Sequence, residues 1–148
     1  MLSRRRALQT VLAAGAVATA GCTADERQGV TESAITPSEG SCVGESRATV
    51  AVDDDRRRIE VEGVVPAETV CTPLRLSVLT TRDEASRGHV ILEIDSRNEP
   101  TTDCEPCDDT AFVPYTGSVE TVDPITAIRV LHLWGADQSD IAVSRTVG

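Results

Sequence analysis

The chain reads as an all-β protein, an antiparallel β-sandwich, and three observations predict it. From Ala48 onward apolar residues recur mostly at every second position, the period of a half-buried strand. Gly, Pro and charged clusters interrupt that alternation roughly every eight to twelve residues, the spacing of short strands joined by turns. No stretch of the domain has a helical period of comparable strength.

Taken in order, residues 48–52 (ATVAV) form a first short strand, and the charged run from Asp53 to Arg58 is a solvated turn with compensating charges. Residues 59–65 (IEVEGVV) alternate cleanly, so the two segments read as a hairpin. Pro66 lacks an amide donor and is expected to break the ladder there. Residues 74–80 (LRLSVLT) resume it, and a charged turn leads into 89–94 (HVILEI). After a long loop come 110–118 (TAFVPYTGS), 125–134 (ITAIRVLHLW) and 141–146 (IAVSRT). About seven strands of this length favour a sandwich over a barrel, with an immunoglobulin-like arrangement the leading expectation. The three aromatic residues, Phe112, Tyr115 and Trp134, leave the core to Val, Ile, Leu and Ala.

Composition excludes some partners. The 148-residue chain carries 24 Asp and Glu and 14 Lys and Arg, every one of the latter an Arg. Arg4, Arg5 and Arg6 precede Cys22 and all 24 acids follow it, so nucleic acid would be repelled and no basic stripe offsets the field. Acid-rich, Lys-free chains of this kind resemble proteins of extremely halophilic archaea. At about 1 M salt the Debye length is near 3 Å, so there the charge would serve hydration rather than steering.

The first 22 residues, MLSRRRALQTVLAAGAVATAGC, divide into a positive start, a weakly apolar stretch and small residues before a cysteine. The apolar stretch, 7–20, is short for a membrane span. Ser3-Arg4-Arg5-Arg6-Ala7-Leu8 resembles the twin-arginine export signal, with Arg4, Arg5 and Arg6 as its basic residues. Thr19-Ala20-Gly21-Cys22 resembles a lipobox, which implies cleavage after Gly21 and lipidation of Cys22. The expected organisation is a signal peptide over 1–21, a lipidated flexible tether over 22–41, and a β-sandwich domain over 42–148. The tether expectation rests on the polar, non-periodic TADERQGVTESAITPSEGS. Stable attachment to the outer membrane face would need a two-chain lipid.

Cys42, Cys71, Cys104 and Cys107 remain in the domain, and an even number in an exported chain reads first as two disulfides. Three pairings are possible. A Cys104–Cys107 bond would close a very tight loop, whereas the two long-range pairings constrain long ones and stabilise by roughly 3 to 4 kcal/mol per bond. The layout resembles small exported β-sandwich domains of haloarchaeal lipoproteins: Gly40-Ser41-Cys42, a strand ending in Gly63-Val64-Val65-Pro66, Cys71 before the next strand, and Cys104-Glu105-Pro106-Cys107 before a later one. The resemblance implies Cys71–Cys104 and Cys42–Cys107, and it brings no activity. It departs at Thr72, where a Tyr is expected, and at Asp108-Asp109.

Cys104-Glu105-Pro106-Cys107 also has the spacing of a thioredoxin-type motif, but no βαβ pattern surrounds it and its acidic neighbours would raise thiol pKa values. The pair could begin a zinc site with His89 and His132, yet no second ligand pair stands at the usual spacing. Asp103, Glu105, Asp108 and Asp109 lack the order of a calcium loop. His132 lies on the face opposite Leu131 and Leu133, and is expected to be polar and partly solvated. Gly-Xaa-Ser-Xaa-Gly and phosphate-cradling glycine loops are absent. The sequence therefore predicts no enzyme, catalytic residue, metal or cofactor. It predicts a lipid-anchored interaction module that contacts the membrane through Cys22 and another envelope protein through its fold. The alternative is a solute- or metal-binding accessory lipoprotein of a transporter.

Overall fold

A computed structural model describes residues 29–80, 87–98, 104 and 106–147. Among them are eight strands and no helix: β1 (Val30–Pro37), β2 (Arg47–Val52), β3 (Arg58–Thr69), β4 (Arg75–Thr80), β5 (His89–Asp95), β6 (Pro106–Thr121), β7 (Ala127–Trp134) and β8 (Gln138–Thr146). They form two four-stranded sheets, β1-β6-β3-β2 and β4-β5-β7-β8. The sheets stack with β1 over β4, β3 over β7 and β2 over β8.

The alternation in the sequence does the work expected of it. Ile59 and Val61 on β3, Leu76 and Val78 on β4, Val90, Leu92 and Ile94 on β5, and Ile128 and Val130 on β7 all point between the sheets and are buried. Val113, Tyr115 and Val119 on β6 join them. At about 25 cal/mol per Å² of apolar surface removed from water, this aliphatic layer is the main favourable term in folding.

Several expectations need correction. Residues 30–37, assigned to the tether, form β1 and pair antiparallel with β6. The pattern was obscured because its inward positions hold Ser33 beside Val30, and the register slips between Val30 and Glu32. β3 does not stop at Pro66 but continues to Thr69. Phe112, opposite Pro66, exchanges its backbone hydrogen bonds with Ser41 on its other side, so that pair needs no donor from the proline. The neighbouring β2 begins at Arg47 opposite Val64, so no strand seeks the Pro66 amide from that side either. Finally, β5 and β7 run parallel, with His89 opposite Ala127 and Asp95 opposite Leu133. An immunoglobulin-type sandwich is built from two antiparallel sheets, and the parallel β5–β7 pair departs from that pattern.

The strands give the sandwich two poles. At the near pole lie Gly29, the β2–β3 turn, the link from β6 to β7 and the start of β5. The far pole holds the 38–46 segment, the β3–β4 turn, the end of β5 and the β7–β8 turn.

Candidate functional site

Both disulfides sit at the far pole. Cys42 is bonded to Cys107, with Cα atoms 5.4 Å apart, and Cys71 to Cys104, with Cα atoms 6.2 Å apart. This is the connectivity that the resemblance implies. It holds the 38–46 segment and the β3–β4 turn to the chain entering β6. Gly40 is needed there, because a Cβ would stand 2.7 Å from the Val70 carbonyl oxygen. With both thiols of Cys104-Glu105-Pro106-Cys107 bonded to distant partners, the oxidised protein has no thiolate there for redox exchange or zinc. A groove of about 370 Å³ beside Cys71 and Cys104 is lined by Pro37, Val70 and Pro73.

Between the sheets lies a polar chain built on His132, which was expected to be partly solvated. His132 is fully buried, facing inward from β7. Its Nε2 is 2.7 Å from the Tyr115 hydroxyl on β6, and its Nδ1 is 2.8 Å from Ser46 Oγ just before β2. The Tyr115 and His132 rings meet edge-on at 80° with centroids 5.6 Å apart. Gly63, opposite Tyr115 on β3, makes room for the phenol: a Cβ there would lie 2.7 Å from the hydroxyl oxygen.

Burial pushes the His132 pKa down to about 4, against a smaller opposing pull from Asp140. It likewise holds the Tyr115 phenol above its ordinary value. Among the described residues the Tyr115 hydroxyl pairs with His132, so the network is best satisfied when Tyr115 donates to Nε2 and Nδ1–H donates to Ser46. In that tautomer the nitrogen facing Ser46 already carries a hydrogen. It has no lone pair with which to take the serine proton, so Ser46-His132-Tyr115 ties two sheets together rather than forming a nucleophile and base. A second tie, at the far pole, is buried Ser96, whose hydroxyl donates to the Pro66 carbonyl while its amide donates to Leu133 at 3.0 Å.

The outer faces of the sheets differ. On the first sheet, Ala34, Ser118, Glu60 and Ala51 form one cross-strand row and Thr36, Thr116, Glu62 and Thr49 the next. They line a shallow open trough of about 500 Å³, at whose edge Arg58 pairs with Glu120 at 2.9 Å. On the second sheet the outward positions include Leu79, Ile91, Leu131, Leu133 and Ile141. None belongs to the core cluster, and Leu79 and Ile141 are 43% and 56% exposed. Leu79 stands opposite Ile91 and Leu131 opposite Ile141, so the apolar side chains run obliquely from β4 to β8. Arg129 stands opposite Ile91 and Glu93 opposite Leu131, so these two charges lie among the apolar side chains, and Arg75 and Asp95 border them.

Among the described residues no group of three or more His, Cys, Asp or Glu is placed to hold a metal ion. His89 and His132 start and nearly end their strands and do not converge. Cys22, Arg4, Arg5, Arg6, Asp103 and Glu105 lie outside the described residues. The apolar outer face, Ser46 and Tyr115 were not singled out from the sequence. Comparison with family models, curated proteins and solved structures finds no match to this chain.

Proposed function

We propose that this protein is an exported interaction module, carried out by the twin-arginine-type signal at Arg4, Arg5 and Arg6, held to the outer membrane face by a lipid on Cys22, and binding another envelope protein. The observation that carries the reading is the apolar outer face of the second sheet, on a chain otherwise rich in carboxylates. Oblique Leu and Ile side chains with Glu93 and Arg129 set among them are the mixed composition of a non-obligate contact patch. The two disulfides support an oxidising environment outside the cell. The partner this face fits presents a complementary aliphatic ridge with polar flanks. The trough on the first sheet gives the transporter-accessory alternative less support, since a solute site is normally enclosed on most sides.

Two measurements test the proposal. Intact mass spectrometry of the membrane-extracted protein should give residues 22–148 plus a lipid, with four cysteines blocked to alkylation until reduced. A photo-reactive side chain at position 141 should yield a discrete adduct in native membranes that disappears in the L79D/L131D variant. An unmodified Cys22 would sink the anchor, and equal adducts from position 141 and from position 62 on the opposite face would sink the contact face.

A further inference from the structure

β1 changes how the domain can stand on a membrane. A spacer running to residue 41 would let the sandwich drift about 65 Å from its anchor and turn any side to the lipid. The first described residue is Gly29, whose carbonyl accepts from the Val122 amide at 2.8 Å, and β1 is fixed from Val30 by its pairing with β6. Only seven links separate Cys22 from Gly29, a reach of about 25 Å at full extension.

The near pole, where Gly29 sits, is a braced unit. Ile125 donates to the Arg56 carbonyl at 2.6 Å, Thr126 to Gly88 at 2.8 Å, and Val147 to Thr126 at 2.9 Å. Val122 is 56% exposed at its tip, and the Arg57 guanidinium donates to the Val122 carbonyl at 3.0 Å. An apolar tip beside Arg56 and Arg57 suits the boundary between lipid headgroups and water, where a guanidinium can pair with phosphate. Asp54 and Asp55 share the turn and exposed Asp123 follows Val122, so the pole carries carboxylates as well as Arg56 and Arg57, while the Asp53 carboxylate is turned back to accept from the Arg57 and Arg58 amides. β3 alone, at 12 residues, sets the far pole about 40 Å away.

Resting on the reading that Cys22 bears the lipid, we propose that the domain stands upright on phospholipid headgroups. The pole around Val122, Arg56 and Arg57 touches the lipid, and the disulfide pole is outermost. The apolar face of the second sheet then looks sideways, along the membrane, toward proteins held in the same bilayer. Such a neighbour meets it at the raised effective concentration of two tethered partners.

The disulfides make the test direct, because Cys22 is the one thiol of residues 22–148 left for coupling to a maleimide lipid. Phosphatidylglycerol vesicles containing a dansyl-headgroup lipid then receive energy from a nearby tryptophan. Trp134, the single tryptophan, ends β7 at the far pole. The wild-type chain should transfer weakly, V122W/W134F several-fold more, and V43W/W134F, at the 78% exposed Val43 of the far pole, weakly again. Equal transfer from all three would mean that the domain lies on its side, and stronger transfer from Trp134 would mean that it is inverted. Either result overturns the proposal. An unlipidated Cys22 in the native protein would instead sink the anchor reading while leaving the vesicle result a statement about the tethered chain.

Discussion

Acid should destabilise this fold through one residue. The His132 imidazole sits fully buried with a pKa near 4, whereas in the unfolded chain it takes up its proton around 6.5. The unfolded state therefore binds more protons, and stability falls as pH drops below 6.5, the loss being complete only below about 4. A separation of about 2.5 units corresponds to roughly 3 kcal/mol in full, of which about 2 kcal/mol should be lost between pH 7 and pH 5. Carboxylates titrate over part of the same range, so the measurement is a difference. Urea unfolding of the oxidised chain at pH 7, 6 and 5 is compared with that of H132Q, whose amide can still reach Ser46 or Tyr115. The wild-type advantage should shrink by about 2 kcal/mol across the series. The reasoning is refuted if the two stability curves stay parallel, or if the His132 ring signals in an NMR titration of the folded protein move at pH 6 or above.

Tyr115→Phe leaves His132 Nε2 without its donor and should cost about 1 to 3 kcal/mol, read from the urea midpoint, while leaving Ser46 engaged. Gly63→Ala drives a methyl against the Tyr115 hydroxyl and the Arg47 carbonyl and should cost about 1 to 3 kcal/mol; an unchanged midpoint would show that β2 and β6 can part there. The Ser33 hydroxyl is buried with no hydrogen-bond partner among the described residues, so Ser33→Ala should leave stability unchanged or raise it by up to about 1 kcal/mol. The disulfides span separations of 65 and 33 residues, each worth about 4 kcal/mol alone. Because one loop is nested in the other, each bond is worth less while its partner bond is intact, so removing both with C42S/C107S and C71S/C104S should cost more than the sum of the two separate removals, and strict additivity in calorimetry would contradict this.

What the sequence revealed depended on how plainly each residue advertised its side of a sheet. β3 reads Ile59-Glu60-Val61-Glu62, a strand with one wet face, and β3 was found there. The second sheet is apolar at both parities, as in Val90-Ile91-Leu92 and Val130-Leu131, the signature of a sheet whose second face is less polar than an ordinary surface. That signal was present and pointed at the apolar side chains on the outer face, but it is shared with fully covered strands. β1 escaped because it pairs at long range and places serine inward. His132 was assigned the correct side relative to Leu131 and Leu133 but the wrong medium. Periodicity separates faces without saying which is dry, and the partners that make a buried imidazole tolerable, Ser46 and Tyr115, lie 86 and 17 residues away. The export signal and lipid site are sequence features whose reading the folded domain does not bear on.

The central position of β6 governs the order in which this molecule can assemble. β6 lies between β1 and β3, and the parallel pairing of β5 with β7 requires the chain to pass through it first. A growing chain that has not reached residue 106 holds the segments of only two neighbouring hairpins, β2–β3 and β4–β5, and an isolated hairpin is barely stable in water. Everything else waits for residues 106–134. Folding is thus a late, largely concerted event governed by distant contacts, and kinetically slow for a chain of this size. Cys104 and Cys107, which enter and begin β6, meet their partners only as that strand docks, so oxidation secures a topology that β6 has already chosen.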